Sequence, residues 1–242
     1  MARVRTLAQA AKWVDKVGLA LLFPKADVVL PSLWEQVNGS AAENWAIRDP
    51  DGTFVRWTDE MGILWDAKDE LPRRGLVCVG KHVARVSACI APRLVPTVVA
   101  ALGRNDVEGL EAEIVAAVRA EGPLTAPQLR VLTGAAKKDV DKATARLQRA
   151  LVLTNDALVE QEQGWGAIAV ELLARKWPLP RKLPTRERAQ RELAELVLGA
   201  AGELTAADLG GVLGLRLKAA GAILEEIADS REEDGFRIWA RP

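Results

Sequence analysis

Histidine is nearly missing from this sequence: His82 is the only one in 242 residues. A Ser-His-Asp relay would have to be built on it, and no Gly-x-Ser-x-Gly elbow exists to supply the nucleophile. Cysteine is almost as scarce. Cys78 and Cys89 cannot make a disulfide framework, and they read as reduced thiols of a cytoplasmic protein. With His82 they offer three nominal metal ligands, but the spacing fits no familiar zinc site and a fourth ligand is missing. The expectation is core packing for the cysteines, a turn for His82, and neither metal nor cofactor. "VGKH" holds a Gly-Lys pair without the upstream glycines of a phosphate loop. No apolar run approaches the roughly 18 residues of a membrane helix. The opening "MARVRTLAQAAKWV" has no sustained apolar segment or cleavage pattern, so neither a signal peptide nor a membrane partner is expected. Net charge is absent as well, with 33 basic and 33 acidic residues. Residues 1–108 sum to +1, 109–182 to +2 and 183–242 to −3. A nucleic-acid partner would therefore be met by a local patch, not a global field.

What the chain does contain is a repeated phrase. "GPLTAPQL" runs from Gly122 to Leu129 and "GELTAADL" from Gly202 to Leu209, 80 residues later, each followed by a further glycine, Gly134 and Gly214. In each copy a glycine closes one helix and a threonine opens the next. Thr125 with Gln128 and Thr205 with Asp208 have the spacing of reciprocal capping boxes, and Pro127 falls in a first turn that tolerates it. Leu110, Ile114, Val115 and Val118 precede the first copy at helical spacing. Leu129 and Leu132 are expected to be buried in its short second helix. A third helix from about Lys137 to Ala150 carries Val140, Ala143, Leu147 and Leu151 on one face, and a β-rich tail follows, "LVLTNDALVEQEQGWGAIAV". Leu193, Leu196 and Val197, then Leu217, Ala220, Leu224 and Ala228, repeat the pattern, with "DGFRIWARP" as a shortened strand. Helix, capped helix, longer helix and hairpin make a winged helix-turn-helix.

Polar, Gly-bounded "LGRNDVEG" (102–109) and proline-rich "WPLPRKLPT" (177–185) divide the chain. The expected fold class is mainly α with small β-hairpins (α+β). Its units are an α+β, Trp-rich domain at 1–103 and tandem winged helices at 109–177 and 185–242. In the first unit, Ser32 with Glu35 reads as a capped turn, Asp49–Gly52 as a hairpin turn, and Thr58 as the cap of a helix.

The third helix of the middle unit carries the strongest functional signal. Lys138, Lys142 and Arg149, with Arg146 beside them, lie opposite its apolar face, where a recognition helix meets duplex DNA, and Lys137 is a further candidate contact. Thr144 and Gln148 are further candidate contacts, and Gln161 and Gln163 lie in the wing. An offset of 77 residues carries Lys138, Lys142, Arg146 and Arg149 onto Leu215, Ala219, Ile223 and Glu226. That face, with "REEDG" in its wing, suits protein rather than phosphate, so Leu215, Ala219 and Ile223 are expected to pack within the chain or in a homodimer. Trp34, Trp45, Trp57 and Trp65 concentrate in the first unit. They are candidates for a base-stacking pocket, with core packing the favoured reading.

The run "VCVGKHVARVSACIAPRLVPTVVAAL", with the unit ending "GWGAIAVELLARKWP", resembles the AlkZ-related winged-helix proteins, relatives of the crosslink-repair DNA glycosylases. The resemblance implies DNA binding and a role in repair. The glycosylases position a water with a Gln-x-Gln or Gln-x-Asp element in their N-terminal part. The one match here is Gln161-Glu162-Gln163, in the middle unit's wing, which implies a non-catalytic relative. A DNA glycosylase and a winged-helix protein adaptor are the two alternatives.

Overall fold

The computed structural model describes residues 3–104, 106–160 and 166–241 of the chain. Thr6, Ser32 and Thr58 each accept a backbone N–H at the start of a helix, and Ser32 with Glu35 closes a reciprocal box. The first region runs α1 (Leu7–Val17), β1 (Leu19–Leu21), α2 (Leu33–Asn38), β2 (Ala46–Arg48), β3 (Phe54–Trp57), α3 (Asp59–Arg73), β4 (Cys78–Gly80) and β5 (Ala88–Ile90). It continues through a short 3-10 turn into α4 (Val95–Leu102). β1, β5 and β4 form an antiparallel sheet in that order, and β2 pairs with β3 about the expected turn.

The next stretch is α5 (Leu110–Glu121), β6 (Leu124–Thr125), α6 (Ala126–Thr133), α7 (Lys137–Arg149), β7 (Leu153–Val159), β8 (Ala167–Leu172) and the single turn α8 (Leu173–Lys176). The last is α9 (Arg186–Ala201), β9 (Glu203–Leu204), α10 (Ala206–Leu213), α11 (Leu217–Ile227), β10 (Asp229–Glu233) and β11 (Phe236–Ala240). The sheet orders correspond, β6-β8-β7 and β9-β11-β10, all antiparallel. Both capping boxes are formed, and Gly134 and Gly214 end α6 and α10 with φ of 66° and 67°. That left-handed conformation costs a glycine little. The chain is thus mixed α and β, with helices predominant and several small antiparallel sheets.

Two burial expectations fail. Leu132 is 53% exposed, because the two-turn α6 touches its neighbours along a line that encloses only Leu129. Leu217 is 63% exposed, because α11 begins there and only Ala220 and Leu224 reach the interior.

The apolar cores do not follow the linkers. One lies within the first region, around Trp34, Leu64 and Leu71. A second, around Ile114, Leu129 and Leu147, belongs to the α5–β8 stretch. The third is shared: Leu19, Ile90 and Val98 pack with Leu193, Val197, Leu224 and Trp239, so α4 lies against α9. Among the described residues no helix is long and apolar enough to cross a membrane.

Candidate nucleic-acid interface

α7 is amphipathic by spacing, and burial follows: Val140, Ala143 and Leu147 are fully enclosed, while Lys137, Lys138, Lys142, Arg146 and Arg149 are all exposed. Among the described residues, Lys137, Lys138, Lys142 and Arg149 have no ion-pair or hydrogen-bond partner for their charged groups. Arg146 differs, since its guanidinium is paired with Glu111 at the start of α5. Gln148 is not a surface contact at all. It is buried, and Thr144 is half-buried. Gln161 and Gln163 lie outside the described residues.

Gln148 faces inward because it bridges two regions of the chain. Its side-chain oxygen accepts the Lys81 backbone N–H at 2.9 Å, and its amide nitrogen donates to Asn155 at 2.7 Å. Its backbone carbonyl accepts from Nδ1 of His82 at 2.8 Å. The other ring nitrogen, Nε2, faces the Thr154 hydroxyl at 3.3 Å, and that hydroxyl also donates to the Val79 carbonyl at 3.1 Å. His82 therefore occupies a turn, as expected, but a buried one that joins the β4–β5 connection to α7 and β7. Burial holds it neutral by pushing its pKa down to about 4. Gly80 is required beneath the ring, since a Cβ there would stand 2.5 Å from Nε2. Burial also pushes the Cys78 and Cys89 thiols up to about 12, beyond useful nucleophilicity. Cys78 Sγ contacts Thr154 at 3.5 Å. Among the described residues no cluster of three His, Cys, Asp or Glu side chains has a metal-binding arrangement.

Beside this joint lies a cavity of about 800 Å³, walled by residues of all three regions. Arg85, Arg104, Arg146, Arg149 and Arg186 line it, against Asp106, Glu108 and Glu111. Its lining therefore carries more positive than negative charge in a chain of zero net charge. Ala84 and Arg85 both hold positive φ, 52° and 56°, on the loop that enters it. That loop is tied on its far side by the Ala84 N–H donating to Val212 O at 2.8 Å. Arg186 donates to the Gly103 carbonyl at 2.9 Å. Sequence reasoning passed over Arg85, Arg104 and Arg186, which belong to no periodic pattern and meet only through tertiary packing.

The four tryptophans do not form one pocket, and none lines this cavity. Trp34 is wholly buried, donates to the Ala42 carbonyl, and packs with Phe23 and Trp45 at ring-centroid distances of about 6 Å. Trp57 and Trp65 stack on each other at the surface, 44% and 40% exposed, with Phe54 edge-on and Lys68 over Trp65. The separation has a simple cause: α2 turns Trp34 into the core, while the β2–β3 hairpin carries Trp57 outward.

On the last unit, Leu215 lines the cavity and packs, like Ile223, against the shared core of this same chain, while Ala219 is exposed. Three of the cations nearby are taken up by acids, while Arg216 and Lys218 at the start of α11 are not, among the described residues. Arg231 pairs with Glu203 and Glu233, Arg237 with Glu225 and Glu232, and Arg191 with Glu226.

The sequence matches the AlkZ-related family over residues 4–205. No curated protein matches it significantly. Among solved structures, the Streptomyces sahachiroi DNA glycosylase AlkZ is similar at 14% identity and a TM-score of 0.51, over 99% of this chain and 66% of that one. At that identity the likeness is one of fold, and this chain spans just under two thirds of the glycosylase's length. With 4–205 of its 242 residues matched, the chain belongs to the AlkZ-related family.

Proposed function

We propose that this protein binds duplex DNA in the service of DNA repair. It would do so through a winged helix spanning residues 109–177 whose recognition helix is α7, followed by a second winged helix at 185–242 that does not touch DNA. The observation that carries the reading is the solvent-facing row Lys137, Lys138, Lys142 and Arg149, whose charges have no protein partner among the described residues and which runs into an arginine-lined cavity. A phosphate can bind only cations not already neutralised, and exposed lysines without acids are available for it. On the second copy Arg191, Arg231 and Arg237 are engaged by Glu203, Glu225, Glu226 and Glu233, so a phosphate reaching those three would have to displace carboxylates, while Arg216 and Lys218 at the start of α11 stand exposed without such acids among the described residues. Membership in the AlkZ-related family and a fold like that of a DNA glycosylase support DNA as the partner.

The test is anisotropy of a labelled duplex at several salt concentrations. Four phosphate contacts give a slope of log K against log salt of about −3.6, which is roughly a hundredfold loss between 50 and 200 mM salt. Lys138→Glu with Lys142→Glu should abolish most of the binding. Absence of binding at low salt, or binding indifferent to the double substitution, removes α7 as the contact. The same protein incubated with alkylated or crosslinked duplex gives the enzymatic arm, in which release of a base moves the reading to a glycosylase.

A further inference from the structure

Three of the arginines that line the cavity have guanidiniums without a carboxylate or carbonyl partner among the described residues: Arg85, Arg104 and Arg149. They come from three places in the chain, and hydrogen bonds of backbone and side chain fix those places to one another. The Arg104 N–H donates to the carbonyl of Ala150, the residue after Arg149, at 3.1 Å. The loop bearing Arg85 is fastened on one side through Lys81 and His82 to Gln148, and on the other through Ala84 to Val212. Arg85 and Ala84 are both held in the left-handed region that favours glycine. Local strain of this kind persists where the surroundings over-determine it, and it clusters at ligand sites. Here it sets an arginine, not a glycine, at the mouth of the cavity.

We infer that Arg85, Arg104 and Arg149 form a phosphate-binding seat at the junction of the three regions, and that the phosphate it takes belongs to the backbone of the bound DNA. This rests on the duplex-binding reading and extends it: the strand leaving α7 passes over the cavity and is gripped there by Arg149 together with two residues outside the winged helix, Arg85 and Arg104. Guanidinium suits the task, because its fixed fork of donors matches phosphate oxygens and stays charged at any working pH. Asp106 and Glu108 share the cavity, oppose the anion, and set an upper limit on its affinity.

The full chain is titrated with labelled duplex as before. Arg85→Gln and Arg104→Gln should each lower the magnitude of the salt slope by up to about 0.9 and weaken binding about eightfold at 0.1 M salt, as one lost phosphate contact requires. Because the groups share a phosphate, the double variant should add little to either single. Arg85→Gly removes the guanidinium while relieving the left-handed strain, so it should lose affinity without losing thermal stability, a combination that misfolding does not produce. If both Gln variants bind as the parent does while Lys138→Gln/Lys142→Gln is weakened, the seat is refuted and the α7 reading stands. If the lysine variant is also unaffected, both fall. Calorimetry with inorganic phosphate and with dAMP covers the other source. Saturable binding lost in Arg85→Gln, with duplex affinity unchanged, would overturn the DNA backbone as the ligand.

Discussion

Acidification should unfasten this protein at His82 before it does so at any carboxylate. The folded imidazole has a pKa of about 4, against 6.5 for the exposed group, so between those values the unfolded chain binds the extra proton and stability rises with pH. The contribution is complete above pH 6.5 and is lost as pH falls toward 4. At pH 4.5 linkage gives a loss of about 2–3 kcal/mol relative to pH 7.5, a large share of the roughly 5–15 kcal/mol by which domains are stable. Carboxylates with lowered pKa, such as Glu70 beside Arg73 and Arg74, also lose stability, but they do so below their own ordinary range near 4.5. His82→Asn isolates the histidine, because asparagine still offers a donor to the Gln148 carbonyl and does not titrate. Urea unfolding from pH 7.5 to 4.5 should give a difference between parent and variant that narrows by about 2–3 kcal/mol across that window. Parallel profiles, or a His82 pKa above about 6 by NMR in the folded protein, would refute the argument that burial holds the ring neutral.

Three further outcomes are expected. Gly80→Ala puts a methyl 2.5 Å from Nε2 of a ring held by its Nδ1 hydrogen bond to Gln148 and packed against Thr154, and should cost about 1–3 kcal/mol in chemical denaturation. Thr125→Ala and Thr205→Ala each remove the threonine of a formed capping box and should each cost about 1 kcal/mol; only the first, which starts the helix before α7, should also weaken duplex binding in the anisotropy assay. Glu111→Gln releases Arg146 from its ion pair, and should tighten duplex binding and steepen the salt slope by up to about 0.9.

The capping devices were legible because their signals are local. A threonine three residues before Gln128 or Asp208, and a glycine at each helix end, act within one turn, and all four devices are formed. The exposed basic row of α7 was legible for the same reason, as the complement of an apolar stripe. Gln148 was not, because its burial is decided by Lys81 and His82, more than 60 residues away. Arg85 and Arg104 carried no periodic signal, and the hint beside them, a lone histidine in an apolar stretch, could be read equally as a bland turn. The errors at Leu132 and Leu217 have the opposite origin: spacing says which face a residue lies on, and only packing says how much of that face is covered.

These joints also govern how the cations act together. Guanidiniums from three separate places in the chain could address one phosphate only if those places keep their relative positions. That is the work of groups that never meet a ligand: α4 against α9 in the shared core, Ala84 on Val212, and Gln148 under the β4–β5 loop. Gln148 is the most exacting of them, because it holds Lys81, His82 and Asn155 at once and sits one residue before Arg149. Truncating it would leave the Lys81 N–H and the Asn155 side chain without their partner and loosen the loop that bears Arg85, while every arginine and lysine stayed in place. A protein with no net charge has no long-range field with which to compensate for such loosening. On the proposed function, a hold on a polyanion would depend on placing a few unpaired cations, so the polar groups that fix the placement would carry as much of that function as the cations themselves.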